Sequence, residues 1–149
     1  MQYRKMGNTG VSVSALGFGC MRFPLLEDGK TIDQAQAIGM LRSAIDAGMN
    51  YVDTAYFYHD QQSEPLVGKA LEDGYRDKVN LATKMPVFAV EKPEDFDTYL
   101  ENQLQRLQTD HIDFYLLHAL SRNTWRNKVL AFGLLDKMKK ARDEGKIRF

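Results

Sequence analysis

The chain is organised around the stretch Tyr51-Val52-Asp53-Thr54-Ala55-Tyr56-Phe57-Tyr58. It has the pattern of a short buried strand that ends in a carboxylate, followed five residues later by a phenol. A charge at the end of a buried strand is costly unless a partner compensates for it. We therefore expect a cation elsewhere in the chain to pair with Asp53, and we expect Tyr58 to lie in the loop above the strand.

Strand and helix patterns alternate on both sides of this stretch. Residues 1–14 have the pattern of a β-hairpin. Four strand–helix units follow over about residues 15–146, and residues 147–149 have the pattern of the start of a fifth strand. This alternation predicts an α/β fold with a parallel sheet and right-handed crossovers. Two architectures fit it, an open doubly wound sheet and the first half of a (β/α)₈ barrel, since a whole barrel usually needs about 250 residues.

The helices are predicted from apolar residues at helical spacing and from their end signals. Thr31 and Gln34 have the capping-box pattern at the start of the first helix. The fourth helix is expected to run without a break until Gly145. Its apolar side is predicted to comprise Val129, Phe132, Leu135 and Met138.

Composition excludes several classes of function. The 149 residues include 20 Lys+Arg and 20 Asp+Glu, so no basic surplus favours nucleic-acid binding. No apolar run is long enough to span a bilayer, and the first residues lack the apolar core of a signal peptide. A single cysteine, Cys20, excludes an intrachain disulfide or a cysteine-only metal site, and we expect a cytoplasmic protein.

Three successive strands each end in an ionisable residue. Asp53 ends the second strand, Lys84 the third and His118 the fourth, one strand–helix unit apart. Taken alone, each of these residues more often has a structural role: Asp forms turns, Lys reaches solvent, and His packs at the edge of a core. Together they share the carboxyl edge, where parallel α/β folds build their sites, and neighbouring strands lie only about 4.8 Å apart. We therefore expect the three side chains to converge below Tyr58.

These residue types suit acid–base chemistry at a carbonyl group. Lys84 can compensate for Asp53, and a cation beside a phenol favours the phenolate. Tyr58 can then give a proton to a developing alkoxide, while His118 orients or polarises the carbonyl. A lysine in the cluster argues against a metal site, so no metal is expected. A flavodoxin-like binding domain would need a phosphate loop after the first strand, and residues 17–22 lack the G-x-G-x-x-G pattern.

The chain resembles the aldo-keto reductase family along its whole length. The matching pieces are Tyr3-Arg4 to Gly10, Val13-Ser14-Ala15-Leu16-Gly17-Phe18-Gly19-Cys20-Met21, Asp53-Thr54-Ala55-Tyr56-Phe57-Tyr58, Ala82-Thr83-Lys84 and Asp113-Phe114-Tyr115-Leu116-Leu117-His118. The resemblance implies a (β/α)₈ barrel and hydride transfer from NADPH, less often NADH, to a small aldehyde or ketone. It implies that Tyr58 is the general acid, with Lys84, Asp53 and His118 as its partners. It also places the Gly19-Cys20-Met21 turn and Asp53 near the nicotinamide.

The resemblance is greatest to bacterial and archaeal members with an iron-sulfur segment at the C-terminus, which is absent here. It implies that residues 1–149 are the N-terminal half of the barrel, a truncated chain that lacks most of the family's cofactor contacts. We therefore expect this oxidoreductase chain to be inactive or weak alone. The alternative is a non-catalytic fragment or regulatory subunit that self-associates through open sheet edges. The pocket walls are expected to be apolar and to include Met21, Phe23, Phe57, Tyr58, Pro86 and Trp125.

Overall fold

A two-stranded hairpin precedes a four-stranded parallel sheet in the computed structural model, which describes residues 1–149. The strands are β1 (Tyr3–Lys5), β2 (Ser12–Ser14), β3 (Phe18–Gly19), β4 (Tyr51–Asp53), β5 (Asn80–Met85) and β6 (Phe114–Leu117). The helices are α1 (Gln34–Asp46), α2 (Ser63–Ala70), α3 (Asp95–Leu107), α4 (Arg122–Thr124) and α5 (Leu134–Asp143), with a π-helical stretch over Trp125–Leu130 and 3₁₀ turns at Arg76–Lys78 and Val87–Ala89. None of these helices combines the length and apolar character that a membrane crossing needs.

The strand order distinguishes the two predicted architectures. β1 and β2 pair antiparallel, and β3, β4, β5 and β6 pair parallel in chain order. In a doubly wound sheet the order in which strands are added reverses at a switch point, whereas in a barrel each strand is added beside the one before it. The predicted fold is confirmed as a hairpin followed by strands and helices in barrel order, and the sheet does not close on itself.

Residues 147–149 lie beside β6, where the start of a fifth strand was predicted. Ile147 forms a parallel bridge with Ile112. The Phe149 N–H donates to Asp113 O at 3.0 Å, and the Tyr115 N–H donates to Phe149 O at 2.9 Å. These bonds continue the parallel ladder by one short segment.

The main core lies between the sheet and the helices. Val52 of β4, Leu81 of β5 and Phe96 of α3 are fully buried there. The opposite face of the sheet, which would face the inside of a barrel, is partly open. Leu116 and Phe149 are each 39% exposed on that side. The half-barrel therefore covers one face of its sheet and leaves an apolar strip on the other.

The predicted capping box at the first helix is wrong. Asp33 is the N-cap, and its carboxylate accepts a bond from Gln36 N at 3.0 Å. The Thr31 hydroxyl instead donates to Asp28 Oδ2 at 2.6 Å, inside the preceding turn. Short polar side chains bond to whichever nearby group the turn presents, so the Asp28 turn takes Thr31 out of the helix start.

The predicted unbroken fourth helix is also wrong. After α4 the chain passes through the π-helical stretch, and Gly133, with a φ of 62°, separates it from α5. Glycine adopts this left-handed conformation without a steric penalty. The extra residue of the π-helical turn and the break shift the phase, so Leu134 is fully buried and Leu135 is 37% exposed.

Candidate active site

The ammonium group of Lys84 is the centre of the polar cluster at the carboxyl edge of the sheet. Its Nζ lies 2.6 Å from Asp53 Oδ1, 2.6 Å from Thr54 O and 3.2 Å from the Tyr58 hydroxyl. An ammonium group has three hydrogens, and here each has an acceptor. The structure therefore brings Asp53, Lys84 and Tyr58 together as a bonded group.

The ion pair between Lys84 and Asp53 is partly buried. The Lys84 side chain is 13% exposed and that of Asp53 is 30% exposed, so the protein partly shields their attraction from solvent. Thr54 accepts a hydrogen bond from Lys84 through its backbone carbonyl, and no residue pattern in the sequence predicts this contact. Its side chain lies 2.9 Å from Ser63 Oγ, which donates to Cys20 O at 3.0 Å. This chain of bonds ties the end of β4 to α2 and to the end of β3.

The turn after Tyr58 is conformationally strained. His59, Asp60 and Gln61 have φ angles of 51°, 50° and 69°, in the left-handed region that residues other than glycine rarely adopt. Side-chain bonds hold the turn in place. His59 Nε2 accepts from Phe23 N at 3.0 Å, and Gln61 Oε1 accepts from Arg106 Nη2 at 2.7 Å. These bonds fix the segment that carries the phenol.

His118 lies beside the phenol, directly after β6. Its ring packs edge-on against Tyr58, with centroids 5.7 Å apart, and against Phe88 at the same distance. Burial, and then the charge of Lys84, lower the pKa of His118 below its ordinary value. The imidazole is therefore neutral near pH 7, and its Nδ1 is buried without a hydrogen-bond partner.

The Gly19-Cys20-Met21 turn borders the cluster at the end of β3. Gly19 lies opposite Asp53 in the parallel register, and Gly19 and Met21 are exposed. The Cys20 side chain is fully buried and points into the core, and burial raises the pKa of its thiol well above the usual range. Its backbone N–H donates to Asp53 O at 2.8 Å. Gly19 and Met21 thus form the open edge, and the buried side chain and backbone bond of Cys20 hold the turn against the core and β4.

A cavity of about 510 Å³ opens beside Tyr58. Four of the six predicted wall residues line it: Met21, Phe23, Phe57 and Tyr58. The other lining residues are Arg22, Leu25, Gly29, Lys30, His59 and Asp60. Pro86 is buried and Trp125 lies on the helical side, so the structure places neither in this wall.

Phe88 is an aromatic neighbour of the site that the sequence did not indicate. It lies in the 3₁₀ turn after β5 and is 46% exposed. Its ring centroid is 5.5 Å from that of Phe57 and 5.7 Å from that of His118. A turn residue has no fixed spacing relative to a strand end, so only the folded loop shows this contact.

Comparisons with known proteins give matches to one family along the chain. The Aldo/keto reductase family model matches residues 15–149. The aldo-keto reductase YhdN of Bacillus subtilis is 35% identical over 157 residues, covering 99% of this chain and 45% of its own length. The holo form of aldo-keto reductase AKR11C1 from Bacillus halodurans matches with a TM-score of 0.80 and 30% identity, over 100% of this chain and 49% of that chain. An aldo-keto reductase from Klebsiella pneumoniae in complex with NADPH matches with a TM-score of 0.73 and 33% identity, over 93% of this chain and 45% of that chain.

The chain spans about half the length of the relatives it matches. The family model nevertheless covers the whole parallel sheet, including all three strand ends that carry the polar cluster. The chain belongs to the aldo-keto reductase family.

Proposed function

We propose that this chain carries the acid–base site for NAD(P)H-dependent reduction of an aldehyde or ketone, with Tyr58 as the general acid. Membership of the aldo-keto reductase family supports an oxidoreductase reaction. The observation that carries the proposal is the 3.2 Å contact between Lys84 Nζ and the Tyr58 hydroxyl, within a group that also includes Asp53. A phenol held against a cation suits the release of a proton to a carbonyl oxygen.

The proton moves from the Tyr58 hydroxyl to the oxygen that becomes the product alcohol. The phenolate left behind lies against the Lys84 ammonium, which stabilises it by charge attraction. Asp53, at 2.6 Å from the ammonium, keeps the cation in place and balances its charge in the absence of the phenolate. Tyr58 can recover a proton from solvent through the open cavity.

His118 orients the carbonyl group in this proposal. A neutral imidazole donates from one ring nitrogen and accepts at the other. Burial keeps His118 neutral, so it can hydrogen-bond the carbonyl oxygen without adding a second positive charge beside Lys84. Phe88 and Tyr58 pack against its ring and limit its rotation.

NADPH is the proposed cofactor, with NADH as the second choice. A related structure from Klebsiella pneumoniae is a complex with NADPH. The residues that would border the nicotinamide are Gly19, Met21 and Asp53, with Cys20 contributing only backbone. The edge is open enough to admit a flat ring, since a Cβ built at Gly19 would meet no atom within 4 Å. When bound, the nicotinamide supplies the hydride to the carbonyl carbon.

Substitution of Tyr58 tests the general-acid role. In a fusion of this chain to the second half of a complete barrel, we expect Tyr58→Phe to lower NADPH-dependent turnover of an aldehyde by roughly 100-fold or more and to leave nucleotide binding unchanged. Tyr75→Phe is the matched control, because Tyr75 bonds to Asp46 on the far side of the molecule. Absorbance at the nicotinamide band gives turnover, and cofactor fluorescence gives binding. Turnover retained in Tyr58→Phe would contradict the role.

Self-association is the second candidate function, favoured by the apolar strip on the open face of the sheet. Tyr51, Phe114, Leu116 and Phe149 lie there around a depression of about 360 Å³. Contiguous exposed apolar surface commonly marks an interaction site. We infer that two copies of the chain can pair through this face, independently of catalysis.

Light scattering after size-exclusion chromatography tests this pairing. We expect Leu116→Glu to convert a dimer to a monomer. Leu130→Glu, at a 53% exposed leucine on the helical side, is the control and should leave the mass unchanged. A parent chain that is monomeric at all concentrations would refute the second candidate. A dimeric parent whose fusion to the second half of a barrel turns over no carbonyl compound would favour it over the first.

A further inference from the structure

A buried polar cluster lies behind Lys84, between the sheet and helices α2 and α3. Glu64 of α2, Thr83 of β5 and Gln103 of α3 are each fully buried. Burying polar groups is costly unless they bond to one another. Apolar residues of similar volume often replace buried polar groups without loss of stability, so the polarity of this cluster requires a physical reason.

The three side chains are joined by short hydrogen bonds. Glu64 Oε1 accepts from Thr83 Oγ1 at 2.7 Å and from Gln103 Nε2 at 2.6 Å. Gln103 Oε1 accepts from the Tyr115 hydroxyl at 2.7 Å. Gln103 Nε2 also donates to the backbone carbonyl of Lys84 at 3.2 Å. The cluster therefore reaches the backbone of the residue that carries the site ammonium.

The Lys84 carbonyl needs this donor because β4 is too short to supply one. Ala82 O accepts from Thr54 N at 2.9 Å, and the register of β4 against β5 ends with Asp53 opposite Ala82. Alternate carbonyls of a strand point to the same neighbour, so Lys84 O points past the end of β4. Gln103 takes the place of the missing strand residue, and Glu64 holds Gln103 in that position.

We propose that Glu64 and Gln103 are positioning residues, which fix the end of β5 so that the Lys84 ammonium meets Asp53 and Tyr58. This inference rests on the proposed function to the extent that Lys84 serves the reaction. Gln103 acts directly on the Lys84 backbone, and Glu64 acts through Gln103 and Thr83. Neither side chain touches the cavity beside Tyr58.

Arg106 links the same cluster to the strained turn. Its Nη1 lies 3.8 Å from Glu64 Oε2, and neither atom has a hydrogen-bond partner. Its Nη2 donates to Tyr56 Oη at 3.0 Å and to Gln61 Oε1 at 2.7 Å. Glu64 thus lies between the two supports of the site, the end of β5 on one side and the turn after Tyr58 on the other.

The Lys84 ammonium signal in ¹H–¹⁵N NMR spectra of the 149-residue chain tests the proposal. Bonds to Asp53, Thr54 and Tyr58 should slow exchange of its hydrogens with water and make the signal visible. In Gln103→Leu we expect the signal to shift and exchange to accelerate by about tenfold, since one fixed bond is lost. Gln103→Asn, whose amide is too short to reach Lys84 O, should do the same in a variant that stays polar.

Two matched variants separate positioning from general destabilisation. Leu100→Ala opens a cavity on the same helix, at a leucine 2% exposed, and removes none of the cluster's hydrogen bonds. We expect it to lower stability without moving the Lys84 signal. Glu64→Gln keeps the shape and the acceptor oxygen, so we expect a smaller shift than in Gln103→Leu. An unchanged signal in both Gln103 variants, or an equal change in Leu100→Ala, would overturn the proposal.

The spectra need neither cofactor nor carbonyl compound, so the positioning role and the proposed function can fail separately. A Lys84 signal that moves in the 149-residue chain, with no turnover in its fusion to the second half of a barrel, would support the positioning and refute the reaction. Turnover that persists in Gln103→Asn with kcat and the signal both unchanged would support the reaction and refute the positioning. If both roles are right, Gln103→Asn lowers kcat and leaves nucleotide binding unchanged.

Discussion

Removing both members of the Asp53–Lys84 ion pair should cost less stability than removing the two separately. Asp53→Ala leaves the ammonium without its counter-charge, and Lys84→Met leaves the carboxylate. Each single variant therefore leaves a partly buried charge without its partner, and unpaired buried charges destabilise proteins strongly. Lys84→Met also loses the bonds to Thr54 and Tyr58, but the double variant loses them equally, so they cancel in a double-mutant cycle.

The geometry sets the size of the coupling. Two unit charges at the observed 2.6 Å attract by about 1.6 kcal/mol in a medium of dielectric constant 80 and by about 6 kcal/mol at 20. With side chains 13% and 30% exposed, the pair lies between these limits. Close charge pairs across a protein–protein interface have measured couplings of about 1.5–7 kcal/mol. We expect a coupling of about 3 kcal/mol, so that the double variant loses about 3 kcal/mol less than the sum of the two single losses.

Urea unfolding monitored by the single tryptophan measures the four free energies. The matched control is the Lys137–Asp97 pair, which has a similar separation of 2.7 Å but side chains 26% and 65% exposed. The same cycle there should give less than about 1 kcal/mol, and about 1 M salt should weaken it further. A coupling below about 1 kcal/mol for Asp53–Lys84, or one equal to the control, would refute the view that burial strengthens the site pair.

Three further substitutions test the packing and the buried charges. Gly68→Ala would place a Cβ 2.6 Å from Arg106 O, so we expect a loss of about 1–3 kcal/mol in urea unfolding, and an unchanged midpoint would contradict this tight contact. Asp113→Asn removes a carboxylate, 2% exposed, that accepts from Arg76 at 2.8 Å; we expect a loss of about 3 kcal/mol, and one below about 1 would count against it. Burial raises the pKa of the Glu64 carboxyl above its ordinary value. Between the unfolded and the folded pKa, the folded chain keeps a proton that the unfolded chain releases. The free energy of unfolding, relative to that of Glu64→Gln, should therefore fall as the pH rises from the unfolded pKa to the folded pKa. A stability difference that is constant from about pH 4 to about pH 8 would exclude this linkage.

The convergence of the three strand ends could be predicted because it depends only on period and order. Parallel strands in successive strand–helix units present the same end to the same edge, so Asp53, Lys84 and His118 had to lie near one another. The structure adds the distances and the Thr54 carbonyl. That carbonyl belongs to the backbone, and any residue at the position would present it, so sequence alone could not assign it.

Helix ends were predicted less well because several local bonds compete for the same groups. Thr31 could cap α1 or bond to Asp28, and the two choices differ by a small free energy that the conformation of the preceding turn decides. The break at Gly133 has a similar origin. Glycine permits a left-handed residue but does not require one, and the packing of Leu134 into the core selects it here.

The Glu64 cluster could not be predicted because its members have ordinary local explanations. Glu64 lies in the first turn of α2, where an acidic residue is favoured by the helix dipole. Gln103 is a polar residue in the middle of an amphipathic helix, and it meets Glu64 across 39 residues of sequence. Only the packing of α2 against α3, with Gly68 allowing the close approach, brings the two side chains together.

Three separate costs converge on Tyr58, and this convergence favours a working site over a structural relic. The turn after it holds three consecutive residues in the left-handed region, each strained by about 1–3 kcal/mol. The strand end beside it retains a partly buried ion pair, and the cluster behind it buries a carboxylate with one unbonded oxygen. Apolar side chains and a glycine turn would satisfy the fold at lower free energy. All three features surround the contact between Lys84 and Tyr58, and they support the proposed role of this phenol in acid–base chemistry.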